Sequence, residues 1–262
     1  MTNPVLHAVD LELRRDGHPV LAGLDWDVHT GERWVVLGPN GAGKSTLALA
    51  LQGRLQPWKG TLEVLGIEFG KAPIQPLWKR VGYAGESLER LFPATFPLEE
   101  LVASGRHGSI GFLFDLPARR DVERAREELS FWGLSDRFRQ NYHTASLGER
   151  RKSLIARAMT GAPKLLVLDE PFAGLDPAAR EELIERLSLL ARQNPKLPIV
   201  LVTHHVEEIP PEWTHVLLLP SDGMATTGCI SDQLTSAKLS RLYGRKFQLR
   251  TITSRRFLLP IR

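Results

Sequence analysis

The sequence predicts an α/β fold built around a parallel sheet. Apolar runs of four or five residues, each bounded by Gly, Pro or Asp, recur at 34–37, 165–168, 199–202 and 216–219. Helical patterns lie between them, and a glycine-rich turn joins the first run to the first helix. Runs so short and so uniformly apolar suit strands covered on both faces, the habit of parallel sheets packed under helices.

Taken in order, residues 6–13 and 20–28 read as antiparallel strands, parted by the turn-like segment Arg15-Asp16-Gly17-His18. The strand at 34–37 feeds a helix over 44–54. Residues 97–151 differ in character: strongly charged, helical over 118–132, and without an apolar strand. They read as an insertion into the sheet-bearing core. A helix over 147–160 leads to the strand at 165–168, and Pro177 sits just inside the start of a helix over 177–192, where its fixed φ is tolerated. Beyond the strands at 199–202 and 216–219, the tail past about 227 holds one helix over 232–243 and a basic end, 255–262, too short for a further domain. The expectation is a single domain over 1–262, with its core in 1–96 and 152–262 and a helical insertion at 97–151.

Composition narrows the function. The 262 residues suffice for a well-buried core, and the single Cys229 leaves no disulfide or thiolate zinc cluster. A reducing, cytoplasmic setting is therefore expected. Mean hydropathy is −0.16, and no apolar stretch approaches the roughly 20 residues a membrane span needs. Residues 1–13 lack a basic patch followed by an apolar core, so neither leader nor anchor is expected. A formal charge of +4 favours anionic partners and leaves nucleotide, lipid headgroup and nucleic acid open.

The strongest chemical signal is Gly38-Pro39-Asn40-Gly41-Ala42-Gly43-Lys44-Ser45, followed by Thr46. It lies between a strand and a helix, as the G-x-x-x-x-G-K-S/T phosphate loop requires. Glycines let the backbone curl so that N–H groups point inward, and the helix start adds its positive dipole. Lys44 would reach the β- and γ-phosphates of a nucleoside triphosphate and Ser45 would offer its hydroxyl to Mg²⁺. Downstream, the strand at 165–168 ends in Asp169 and Glu170. Neighbours on a strand point to opposite faces, so adjacent carboxylates can do different work. Asp169 can hold Mg²⁺ through water, and Glu170 can orient and deprotonate an attacking water. An acidic strand end solvated at the surface is the plain alternative.

With these motifs the chain resembles the ATP-binding cassette (ABC) ATPase family over residues 5–230. Further segments stand in that family's order: Ala145-Ser146-Leu147-Gly148-Glu149 is similar to its signature, Ala173-Gly174-Leu175-Asp176 to its D-loop, and Val202-Thr203-His204-His205 to its switch-histidine strand end. The resemblance implies a P-loop NTPase core with ATP and Mg²⁺ as ligands. It also implies a head-to-tail dimer, of two copies or with a paralogous ATPase, that sandwiches two ATP molecules. Each would lie between one subunit's phosphate loop and Ser146, Gly148 and Asp176 of the other. His204 would touch the γ-phosphate. Closure on ATP and opening after hydrolysis would drive integral membrane permease subunits, placing the chain on the cytoplasmic face of the membrane. A cytosolic ABC ATPase acting on nucleic acid or ribosomes is the alternative, disfavoured by the lack of zinc ligands, a coiled-coil insertion or a second cassette, so no nucleic-acid partner is expected. A nucleotide sensor with little turnover is a third reading, opposed by the presence of Glu170 and His204.

Three departures from the family pattern stand out. Glu86 occupies the place of a glutamine that ligates Mg²⁺, and is either a ligand with extra negative charge or a displaced, solvated side chain. No aromatic precedes Val20 to stack on adenine; the nearest candidate is Arg15, whose guanidinium plane can stack on a purine. Leu147 and Ala145 replace the signature's first glycine and its leucine. Together with residues 102–111 these features resemble importer-type ATPases of the molybdenum or metal transport branch. That branch implies a permease-facing groove over 87–101 and the insertion beyond, where Leu91, Phe92, Phe96 and Leu98 would either accept a short partner helix or pack the insertion onto the core.

Overall fold

A computed structural model, which describes residues 3–89, 91–93, 95–108, 118–221 and 224–261, contains the expected α/β architecture. The chain begins with β1 (Leu6–Arg15), β2 (His18–Val28), β3 (Arg33–Leu37), α1 (Lys44–Leu51), β4 (Lys59–Val64) and β5 (Ile67–Glu68). Next come α2 (Leu77–Arg80), β6 (Val81–Gly85), α3 (Glu86–Glu89), α4 (Leu98–Ala103), α5 (Arg119–Phe131) and α6 (Leu147–Thr160). Then follow β7 (Leu165–Asp169), α7 (Pro177–Gln193), β8 (Ile199–Thr203), β9 (His215–Leu218), β10 (Thr226–Cys229), α8 (Ile230–Gln233), α9 (Ser236–Leu242), β11 (Phe247–Ile252) and β12 (Arg255–Pro260).

Among the described residues, the central sheet has six strands in the order β10-β9-β3-β8-β7-β6, parallel except for β10 at its edge. The apolar runs of β3, β7 and β8 are fully buried, as their sequence implied. Register then decides where chemistry can occur. Leu37 pairs with Thr203, Asp169 with Val202, and Gly85 with Asp169, so the residues after these strands, Gly38, His204, Glu170 and Glu86, all leave the sheet at one edge. Ligands of open α/β sheets sit at the carboxyl ends of the strands for this reason.

A second sheet, β2-β1-β4-β5, is antiparallel throughout. Its first hairpin closes tightly on Asp16 and Gly17, with φ of 51° and 81°, so Arg15 still pairs with His18. Two successive left-handed residues match the strands' own twist, which carries both strands closer to the turn than the sequence reading placed them.

Among the described residues, the insertion holds α4, α5 and the start of α6, packed on one another, and α6 also lies against β6 and β7. The expected boundary at 151/152 thus falls within one continuous helix. Within the expected groove, Leu98 and Phe92 are buried and Phe96 packs against the core, leaving Leu91 exposed. Packing rather than docking explains most of that apolar stretch. Of the segment 102–111, residues 109–111 lie outside the described residues.

The tail departs from expectation. In place of one helix over 232–243 there are two short ones, because Leu234 leaves helical geometry (ψ 80°) and Thr235 restarts the helix by accepting the Lys238 N–H in its side chain. The basic end is one strand of a hairpin, β11 with β12, turning on Thr253 and Ser254, both at positive φ. Neither carries the Gly or Asn that normally announces such a turn. Among the described residues, no helix is long and apolar enough to cross a membrane.

Candidate active site

The phosphate loop depends on glycine at two close approaches. A Cβ on Gly38 would lie 2.1 Å from the Leu219 carbonyl oxygen, and one on Gly43 would lie 2.6 Å from that of Val20. Gly43 is also left-handed, at φ 88°. It caps α1 without a side-chain bond, and no acidic residue occupies that helix's first turn, so its free N–H groups are available to an anion.

Lys44 is folded back into the loop, its Nζ donating to the carbonyls of Gly38 (2.9 Å) and Pro39 (3.0 Å). It lies 3.6 Å from Glu170 Oε1. Burial lowers the lysine's pKa, against the upward pull of Glu170 and Asp169. Ser45 Oγ donates to Asp169 Oδ1 at 3.1 Å. Burial pushes the Asp169 carboxyl up, while hydrogen bonds from Ser45 and Tyr83 draw it down.

Glu170 follows the end of β7 with φ 49°, held there by its N–H bonding to the Val202 carbonyl at 3.0 Å. A glutamate in this left-handed region costs about 1–3 kcal/mol, a feature that concentrates at functional sites. The bend brings its carboxylate within 3.0 Å of His204 Nδ1.

Arg15, Asn40, Gly41, Gly43, Lys44, Ser45, Thr46, Glu86, Glu170 and His204 line one cleft of about 420 Å³. An adjoining hollow brings Glu86 to the same wall as Ser45, Asp169 and Glu170. Ala42 is buried beneath the loop, its N–H bonded to the Pro39 carbonyl. The structure therefore gathers the phosphate-loop residues, both strand-end acids, the histidine and the two departures, Arg15 and Glu86.

Ser146, Gly148 and Asp176 do not line this cleft. Ser146 caps α6 in a capping box, accepting the Glu149 N–H at 3.2 Å while Glu149 Oε2 accepts the Ser146 N–H at 2.7 Å. A Cβ on Gly148 would touch Ala179 of α7 at 3.6 Å. Asp176 caps α7 through the N–H groups of Ala178 and Ala179. Within one subunit, Ser146 and Asp176 are helix caps.

Sequence reasoning missed Tyr83. Buried in β6, its hydroxyl donates to Asp169 Oδ2 at 3.2 Å and shares a hydrogen bond with Ser87 Oγ at 2.8 Å. Burial, with the nearby Asp169 charge, pushes the phenol well up, so it stays a donor. The signal was its place two residues before Gly85, which pairs with Asp169, but only the register shows which strand lies alongside.

The donor set suits Mg²⁺. Ser45 and Asp169 put a hydroxyl and a carboxylate oxygen side by side and Glu86 borders them, all hard oxygen donors. Among the described residues no cluster of three or more His, Cys, Asp or Glu side chains could hold a metal alone.

The ABC transporter family model matches residues 21–173. The chain is 36% identical over 241 residues to YlmA, an ABC transporter ATP-binding protein of Bacillus subtilis, covering 91% of this chain and 90% of that one. It is 34% identical over 210 residues to ModF, an ABC transporter ATP-binding protein of Escherichia coli, covering 78% of this chain and 42% of ModF. Among solved structures, an inward-facing metal-chelate type ABC transporter superposes with a TM-score of 0.79 at 26% identity, covering 99% of this chain and 98% of its counterpart.

Proposed function

The chain belongs to the ABC transporter ATPase family, and we propose that it is the ATP-hydrolysing subunit of a transporter, closing with a second copy or a paralogous ATPase around two ATP molecules to drive a separate membrane permease. Family membership carries ATP binding and hydrolysis. The observation that supports this assignment of roles is the convergence of Lys44 and His204 on Glu170, at 3.6 and 3.0 Å.

In this reading the phosphate-loop N–H groups and Lys44 bind the triphosphate's β- and γ-oxygens. Glu170 accepts a proton from the attacking water. His204, hydrogen-bonded to that carboxylate, faces the γ-phosphate and orients the base. Ser45, Asp169 and Glu86 would hold Mg²⁺, which when bound neutralises phosphate charge. Lys44 lies 3.6 Å from Glu170 Oε1, so a γ-phosphate that draws the lysine to itself leaves the carboxylate free of that cation to accept a proton.

Ser146 and Gly148 stand at a second helix start outside the cleft, so in this reading the triphosphate they contact is one held by another subunit. That need for a partner supports the dimer. The similarity to a metal-chelate type transporter supports a permease of that type and a place on the cytoplasmic face of the membrane. The test is purification from native membranes. A polytopic membrane protein should co-purify and stimulate hydrolysis, whereas recovery with RNA or DNA in a strongly salt-dependent complex would refute the transport reading.

Two substitutions probe the proposed metal side. Glu86→Gln removes a carboxylate from the wall shared with Asp169, and should raise the Mg²⁺ concentration for half-maximal hydrolysis by about three- to tenfold. An unchanged Mg²⁺ midpoint and rate would mean that Glu86 is merely solvated. Tyr83→Phe keeps the ring in its buried seat but deprives Asp169 of one donor. It should lower kcat by about three- to tenfold with little change in ATP affinity, measured by steady-state hydrolysis and equilibrium nucleotide binding.

A further inference from the structure

The chain after β10 lies beyond the residues matched by the family model, which end at 173. Its hairpin is nonetheless built against the active site. β12 packs on the single turn Val206–Glu208 that follows His204. Tyr243, just past α9, donates its hydroxyl to the backbone carbonyl of His204 at 2.8 Å. Arg255, at the start of β12, donates to the Glu207 carbonyl and pairs with Glu181 of α7.

The His204 segment is therefore held from two sides. On the core side, Thr203 Oγ1 bonds the Glu208 carboxyl and accepts the His205 N–H at 3.1 Å. On the outer side stand Tyr243 and Arg255. The hairpin is itself anchored: Ser236 Oγ accepts the Leu249 N–H and Ser240 Oγ the Phe247 N–H, each at 2.9 Å. Burial, together with Glu207, Glu170 and Glu208, pushes the Tyr243 phenol upward, so it remains a neutral donor. A main-chain bond at His204 matters because that residue's imidazole lies 3.0 Å from Glu170. A displacement of about 1 Å at such a contact is enough to cost rate.

We propose that Tyr243 and Arg255 are positioning residues for hydrolysis, through which the C-terminal hairpin braces the His204 loop and presents the imidazole to Glu170 and the γ-phosphate. The proposal rests on the role given to His204 above. It predicts an effect on turnover and not on ATP binding, since neither residue lines the cleft.

The test is a double-mutant cycle in the full chain, reading kcat, KM and thermal midpoint. Tyr243→Phe should lower kcat by about five- to tenfold, the effect of losing one hydrogen bond, while KM stays within about twofold. In a His204→Ala background the same change should cost nothing further, because the residue it positions is gone. Arg255→Lys, which keeps the charge but loses the forked geometry, should behave alike and serves if Tyr243→Phe folds poorly. An unchanged kcat in Tyr243→Phe and Arg255→Lys while His204→Ala is impaired would overturn the brace alone. Equal losses in both backgrounds, or a loss that tracks a fall in thermal midpoint, would reduce the hairpin to a structural cap and also overturn it. Wild-type turnover in His204→Ala would overturn the role of His204 and the brace with it.

Discussion

Replacing Glu170 with glutamine is expected to slow ATP hydrolysis on the order of 10²- to 10⁴-fold while leaving ATP binding close to wild type. Glutamine has the same shape, so its carbonyl oxygen can still accept from His204, 3.0 Å away in the native chain. What it lacks is basicity, and it cannot take a proton from water. The bend at φ 49° belongs to the backbone and should survive, because it depends on the Val202 carbonyl and not on the side chain. If two subunits close around ATP, the stalled variant should accumulate as an ATP-bound dimer, read by light scattering with and without nucleotide. Turnover near wild type would reject Glu170 as the base. A variant that binds ATP and stays monomeric at saturating nucleotide and Mg²⁺, even with its permease, would reject the shared-site dimer.

Lys44→Ala is expected to weaken ATP binding on the order of 10²-fold, measured by equilibrium titration with a fluorescent nucleotide. Lys44 is a buried cation already desolvated and aimed by the Gly38 and Pro39 carbonyls, so its contact with phosphate needs little further ordering. Its removal also leaves the adjacent Asp169 and Glu170 carboxylates without their nearest buried cation, adding repulsion to the incoming polyphosphate. Unaltered affinity would contradict the phosphate-loop assignment. Comparing the two variants separates binding from chemistry: Glu170→Gln should bind ATP and not turn it over, whereas Lys44→Ala should fail at the first step.

Much of this site was legible before the fold. The glycine spacing around Gly38–Ser45 is forced by backbone contacts that tolerate no Cβ at Gly38 or Gly43, so it leaves a pattern in the letters. The buried strands were legible because a strand covered on both faces has no polar position to spare. Glu86 and Arg15 depart from the family pattern in the letters themselves, and the structure sets both on the cleft wall. Tyr83 and Tyr243 were not legible. Each acts through one hydroxyl on a residue distant in sequence, Asp169 or His204, and no local pattern encodes such a pairing. The hairpin of β11 and β12 was missed because its turn, Thr253-Ser254, lacks the usual glycine or asparagine.

The sequence by itself determined the class of sheet, the phosphate loop and the identity of the acids beside it, because each follows from steric or burial rules that act over a few neighbouring residues. Tertiary structure alone decided which strand ends meet. It also decided that Ser146 and Asp176 are helix caps outside the cleft lined by the phosphate loop, and that the tail returns to hold His204. Those facts depend on the register between strands far apart in the chain, and register is set by the packing of the whole core.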